Sequence, residues 1–360
     1  MAGVRLGRVP FLALAMATLM AALWGGLLRL HWRLPAPEAN WISYHGPLMV
    51  SGFLGTVISL ERAVAFGAWP AYLAPLCTGV GALCLLAGLP YPVGATLLTL
   101  GSTGLVVLFA LFLRRQPTLF TLTMAVGAAA WLAGNLLWLG RWEIPALVPW
   151  WMAFLIVTIA GERLELTRFL PPTRWGRTLF LLVMGVLLAG VALSAVRPDL
   201  GVRLMGAGMT GLAAWLVRFD VARRTVRQEG LPRFVAACLL SGYAWLGAAG
   251  LLAMAVGAPR PDLLNDALLH ALFVGFVFVM IFGHAPIIFP AVLGVPVAYH
   301  PRFYLHLVLL HASLLVRIAG DLGGVHSLRQ WGGLANALAI LFFLVNTVSS
   351  LQRHSPRQAS

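Results

Sequence analysis

Apolar runs long enough to cross a bilayer, which takes about 20 consecutive residues, recur along the whole chain and leave no stretch over for a soluble domain. Their limits predict helices near 10–30, 42–60, 71–89, 92–113, 119–139, 145–161, 178–196, 200–217, 233–256, 263–284, 303–320 and 331–350. Prolines fall between the runs, where the chain has to turn: Pro35 and Pro37, Pro90 and Pro92, Pro171 and Pro172, Pro198, Pro259 and Pro261, Pro296 and Pro301. The expected fold is all-α: a polytopic membrane helix bundle of about twelve transmembrane helices, forming a single integral membrane domain over residues 1–360.

Composition supports that solvent. Sixty per cent of the residues are hydrophobic and only 10% charged, against about a quarter charged in soluble domains. Lipid is therefore the expected partner of most of the surface. The net charge of +14 would point to nucleic acid in a soluble protein, but every basic residue is arginine and most lie between apolar runs. That distribution orients a membrane protein and excludes a nucleic-acid partner. Arg5 and Arg8 precede the first run as they would in a signal peptide, but no clear small-residue cleavage site follows, and the run is read as the first span. Cys77, Cys84 and Cys238 all fall inside apolar runs, where a small buried hydrophobe is the commonest role.

With the N-terminus inside, 17 of the 25 arginines fall on cytoplasmic segments, Arg168, Arg353 and Arg357 among them, and 8 on the outer side. Positive charge concentrates on the cytoplasmic side of membrane proteins, so the split predicts an even number of spans with both termini cytoplasmic. An internal echo accompanies it. The second span ends in Leu60-Glu61-Arg62, the sixth in Gly161-Glu162-Arg163 and the tenth in Gly283-His284, all at the predicted cytoplasmic face. A four-helix unit repeated three times explains the interval; so do helix-end charges that satisfy each other.

The nine histidines are unevenly spread: none lies between His45 and His270, and His354 is close to the C-terminus. Any haem or metal site must therefore join the second helix to the tenth and eleventh. His45 begins near the outer end of the second helix, and His270 lies about two turns into the tenth from the same side. An imidazole within an apolar helix is a candidate functional group: two on facing helices can take the axial positions of a haem iron, or each simply hydrogen-bonds a neighbouring helix carbonyl. Gly46, Gly52, Gly55 and Gly275 either let a flat ring approach the backbone or pack helices. His284 follows His270 by 14 residues, within about 40° of the same face and roughly 21 Å along the axis. Its candidate partners at the inner end are His306 or His311, which lie about 140° apart around the eleventh helix. Against that second site, His284 precedes Pro286 and reads as a helix-terminal residue. Asp266, one turn before His270, either orients that ring or is an ordinary interfacial carboxylate. Arg317 has Asp321 one turn on as an ion-pair partner, with binding of a haem propionate as the alternative.

His270-Ala271-Leu272 with Gly275, then Gly283-His284, then Arg317 in the next helix, resembles the late-helix pattern of NnrS-type proteins; His45 followed by Gly52-Phe53 resembles that family's early histidine motif. These are bacterial haem- and copper-containing membrane proteins associated with nitric oxide metabolism. His45-Gly46 with Met49 is also similar to the low-spin haem helix of haem-copper oxidase catalytic subunits, which have twelve helices in three pseudo-repeated groups of four. The resemblance implies haem b held by His45 and His270 in a bacterial cytoplasmic membrane, with a role in electron transfer or nitric oxide handling. A quinone or other electron donor and a small diatomic gas are the partners it implies. The chain departs from both patterns: the second histidine and glutamate usual in NnrS-type proteins are Pro47 and Leu48 here, and the sixth and seventh helices offer no histidine for an oxidase copper site. The copper that the resemblance implies has no assigned residue. The competing expectation is a haem-free transporter with Glu61, Glu162, Asp266 and the histidines along its path, or an assembly subunit of a respiratory complex.

Overall fold

In the computed structural model, which describes residues 5–36, 38, 40–166 and 173–351, twelve helices are long and apolar enough to cross a membrane. They are α1 Leu6–Arg29, α2 His45–Phe66, α3 Trp69–Leu86, α4 Tyr91–Arg115, α5 Leu119–Leu139, α6 Ile144–Leu166, α7 Arg174–Ser194, α8 Pro198–Phe219, α9 Leu231–Val256, α10 Leu263–Leu293, α11 Phe303–Gly323 and α12 His326–Ser349. The chain is a multi-pass membrane protein. Apart from the isolated bridge between Val297 and Leu351, the described residues form helices and connections. The expectations placed on Pro37, Pro171, Pro172, Arg168, Arg353, His354 and Arg357 lie outside the described residues.

Local chemistry sets the ends of these helices. Thr118 and Thr173 cap α5 and α7 with their hydroxyls, and the Asp262 carboxylate accepts from the Asn265 amide at 2.8 Å to start α10. Helices α2 and α10 stop at Gly67 and Gly294, whose φ of 79° and 77° lie in the left-handed region that a Cβ disfavours. The predicted end of the tenth helix is corrected here. It does not stop at His284 but runs through Pro286 and Pro290 to Leu293. A proline removes one backbone donor and ends most soluble helices, but membrane helices tolerate it because packed neighbours satisfy the freed groups. His284 is accordingly an interior residue, 8% exposed.

Three helices form the centre. Inside the bundle, 61% of the apolar window of α2 is buried and 67% of those of α6 and α10, against 56% for α8 and 33% for α1 and α7. The chain thus returns to the middle at every fourth helix, the interval of the expected repeat. At the end of the bundle where the chain begins, the Glu-Arg pairs of α2 and α6 meet. Arg62 bridges Glu61 at 2.7 Å and Glu162 at 3.1 Å, so these helix-end charges do satisfy each other. Arg163 turns the other way, donating Nε and Nη2 to the two oxygens of Asp220 at 2.8 and 3.1 Å, with both side chains buried.

Two of the central helices are not α-helical throughout. Residues Leu48–Leu54 of α2 and Ala271–Phe278 of α10 are π-helical, a wider winding that appears mostly as short insertions and often at functional sites. The α2 segment is held by a buried polar network. Ser51 Oγ donates to Asn135 Oδ1 at 3.2 Å and accepts from Trp131 Nε1 at 3.0 Å, while Trp151 Nε1 donates to the same Asn135 oxygen at 3.1 Å. The two π segments meet at Phe53 and Phe278, whose rings stack with centroids 6.0 Å apart.

Candidate functional site

Each π segment is entered from a histidine. His45 lies one turn before Leu48, and His270 immediately precedes Ala271. Both line one cavity of about 410 Å³ near the far end of the bundle, opposite the end where the chain begins. Pockets for small molecules and cofactors span about 300–1,000 Å³. Helices α1, α2, α6, α8, α10, α11 and α12 all reach the cavity, and its wall is mainly apolar: Leu23, Leu54, Trp151, Met152, Phe273 and Ile340 are representative.

The two imidazoles are held alike. His45 Nδ1 is 2.6 Å from the Ala22 carbonyl of α1, and His270 Nδ1 is 2.8 Å from the Asp266 carbonyl one turn back. A carbonyl only accepts, so Nδ1 carries the proton in both rings and Nε2 presents its lone pair. Neither Nε2 has a hydrogen-bond partner among the described residues. This is the arrangement that orients a metal-binding histidine, with one nitrogen fixed by the protein and the other left to coordinate.

His270 is braced further by charge. Asp266 Oδ1 lies 3.5 Å from its Nδ1, and Asp266 Oδ2 accepts from Arg317 at 2.7 Å and from Arg329 at 3.5 Å. The expected Arg317–Asp321 pair is therefore secondary: Arg317 Nε is 3.9 Å from Asp321, which Arg329 holds at 2.5 Å. The one-turn spacing along α11 suggested Asp321, but α12 brings in a second guanidinium that the spacing could not reveal. Two buried donors of residues on the cavity wall, Arg317 Nε and Asn336 Nδ2, have no partner among the described residues.

The histidines expected at the inner end are each engaged elsewhere. His284 donates Nδ1–H to the Met280 carbonyl at 2.6 Å and accepts at Nε2 from Arg163 at 3.3 Å. His306 accepts at Nδ1 from Asn346 at 3.1 Å, and its ring stands edge-on to Phe282, centroids 4.8 Å apart. His311 accepts from Trp245 Nε1 at 3.0 Å, and its Nε2 lies 3.1 Å from Ser241 Oγ. The three share no common partner, and no group of three or more metal-ligating side chains occurs among the described residues. Among the described residues, His45 and His270 line one cavity together, and His284, His306 and His311 do not line it.

The model of a family described as Domain of unknown function (DUF8744) matches residues 8–352. The chain belongs to the DUF8744 family. No curated protein matches it. The DUF8744 match covers all of the bundle except its first residues, and with it every residue that lines the cavity.

Several residues of this DUF8744 site carry no motif. The glycine that makes room for His45 is Gly26 of α1: a Cβ there would sit 2.9 Å from Cε1 and 3.1 Å from Nδ1 of that ring. Of the glycines singled out in the sequence, Gly46 lines the cavity, whereas Gly52 packs on Thr18 and Ala82, Gly55 on Trp131, and Gly275 on Trp245 and Leu314. Those three are helix-packing glycines. The wall from α6, with Pro145, Pro149, Trp151 and Met152, has no titratable group to mark it in the sequence.

Proposed function

We propose that this DUF8744 protein holds haem b between His45 and His270 and works as a membrane electron carrier or as a protein that handles a small diatomic gas such as nitric oxide. The observation that carries the reading is two imidazoles lining one mainly apolar cavity, each with its Nδ1–H tied to a backbone carbonyl and its Nε2 without a hydrogen-bond partner among the described residues. The residues present fit the group: two imidazoles, mainly apolar walls and the Arg29 and Arg260 guanidiniums on the wall suit an iron macrocycle with acidic side chains. Haem bound there would supply a one-electron couple and an iron able to meet a diatomic ligand if one imidazole leaves.

What the chain itself contributes is orientation and exclusion of water. The Ala22 and Asp266 carbonyls keep both rings in the coordinating tautomer. The Asp266 carboxylate, held by Arg317 and Arg329, braces the His270 ring on its Nδ1 side. The resemblance of the His45, His270, His284 and Arg317 motifs to NnrS-type proteins supports the same class of function. It also supports a bacterial cytoplasmic membrane, and the arginine distribution supports cytoplasmic termini. Copper has no assigned ligand, and an electron donor such as a quinone would approach from the bilayer.

A reduced-minus-oxidised optical spectrum of the purified full chain tests the reading. It should show the bands of a six-coordinate b-type haem together with about one iron per chain; a colourless, iron-free preparation that also fails to take up added haem overturns it. A smaller test concerns the ring's support. Gly26→Leu puts carbon where the His45 imidazole lies, so haem retention is expected to fall roughly 10–100-fold, the range for losing a group that orients a ligand, as measured by haem titration.

A further inference from the structure

Resting on the haem reading, we propose that Arg29 and Arg260 bind the two carboxylates on the acidic edge of the macrocycle and so fix which way round it enters. The charged side chains on the cavity wall are Arg29, Arg260, Arg317 and Asp266. Binding a haem propionate was the alternative reading of Arg317, and its Nη2 donates to Asp266 at 2.7 Å. With Arg329 and Asp321 these two residues form a quartet of two cations and two anions that needs no outside partner.

Two guanidiniums remain. Arg29 ends α1, and Arg260 lies in the connection that leads into α10, so they reach the cavity from different elements near its exposed end. Neither forms an ion pair among the described residues. The acidic residue whose field Arg260 shares, Asp199, is itself held by Arg203 through contacts of 2.9 and 3.2 Å. Two unpaired positive charges at the mouth of an apolar cavity attract an anion, and the planar guanidinium fork matches a carboxylate. Two histidines alone would hold a haem by its iron and would not choose between its edges. A second contact, at the rim, is what makes that choice, and a pair of acid groups meeting a pair of arginines supplies it.

The competing role for both residues is contact with lipid headgroups, with Arg29 also facing the C-terminal dipole of α1. Titration of the haem-free full chain with iron protoporphyrin IX and with its dimethyl ester separates the two. The ester keeps the iron and loses the negative charges. The unmodified protein is expected to prefer the diacid by about tenfold or more for each arginine, the size of a hydrogen bond to a charged group. Arg29→Gln and Arg260→Gln should each lower the preference, and the double variant should bind both compounds alike. Binding of the ester with an unchanged six-coordinate spectrum shows that the double variant is folded. If the unmodified chain does not discriminate, or if the double variant still does, the proposal is overturned and the arginines serve the bilayer surface. If neither compound binds the unmodified chain, the haem reading itself has failed.

Discussion

On the proposal that the chain binds haem, a His270→Ala protein is expected to lose it, or to keep it only as a weakly held five-coordinate species, and His45→Ala is expected to do the same. Each substitution removes one of the two cavity-lining imidazoles whose Nε2 has no hydrogen-bond partner among the described residues. Changes to groups that merely orient a ligand cost about 10–100-fold in affinity, so removal of the ligand itself should exceed about 100-fold. The comparison with the other histidines makes the test specific. His284→Ala, His306→Ala and His311→Ala remove rings whose nitrogens contact Arg163, Asn346, Trp245 and Ser241. They should leave the α band and the Soret maximum where they are. Added imidazole should restore the six-coordinate spectrum of His45→Ala or His270→Ala, because the vacated volume adjoins the cavity. Loss of the band in an inner-histidine variant, with the outer variants unaffected, would show that the ligands have been misassigned.

The second large effect is on stability and is independent of haem. Asp220→Ala strands the Arg163 guanidinium, whose side chain is only 3% exposed. Breaking a buried ion pair by removing one partner costs about 3–5 kcal/mol. Asp220 also accepts from the Ala222 amide at 2.7 Å, where it starts the short helix Ala222–Thr225, so its loss frees a buried backbone donor as well. Thermal unfolding in detergent should show a marked drop in midpoint. The double variant Arg163→Met with Asp220→Leu, which removes both charges, should recover part of that loss. Equal stability of Asp220→Ala and the unmodified chain would mean that Arg163 finds water once the carboxylate is gone.

Much of the architecture is legible in the linear pattern. Twelve runs gave twelve helices, and the turn prolines within the described residues lie at or near their ends. The exception is instructive: the tenth helix reads as ending at His284, just before Pro286, yet Pro286 and Pro290 both lie inside it. Proline stops a helix through a lost hydrogen bond, and whether a neighbour replaces that bond is a property of the packed bundle. The four-helix interval shows in the sequence as Glu61-Arg62, Glu162-Arg163 and Gly283-His284. The structure adds the heavier burial of α2, α6 and α10, along with the ion pair that joins the first two.

Hydropathy by itself determined the solvent, the class of fold and the number of helices, because a bilayer imposes one length and one polarity on every segment that crosses it. The scarcity of histidine also determined which helices any imidazole site had to use. Only the tertiary structure placed each imidazole among its partners: Ala22 of another helix for His45 and Asp266 of its own helix for His270, but Arg163 for His284 and Trp245 for His311. Only the tertiary structure exposed the π-helical segments beside His45 and His270, because one extra residue in a turn leaves no mark on an all-apolar run. It also joined Arg317 to Asp266 and brought Arg329 of α12 onto Asp266 and Asp321. Ion pairs between helices depend on which faces meet, and long-range packing sets that.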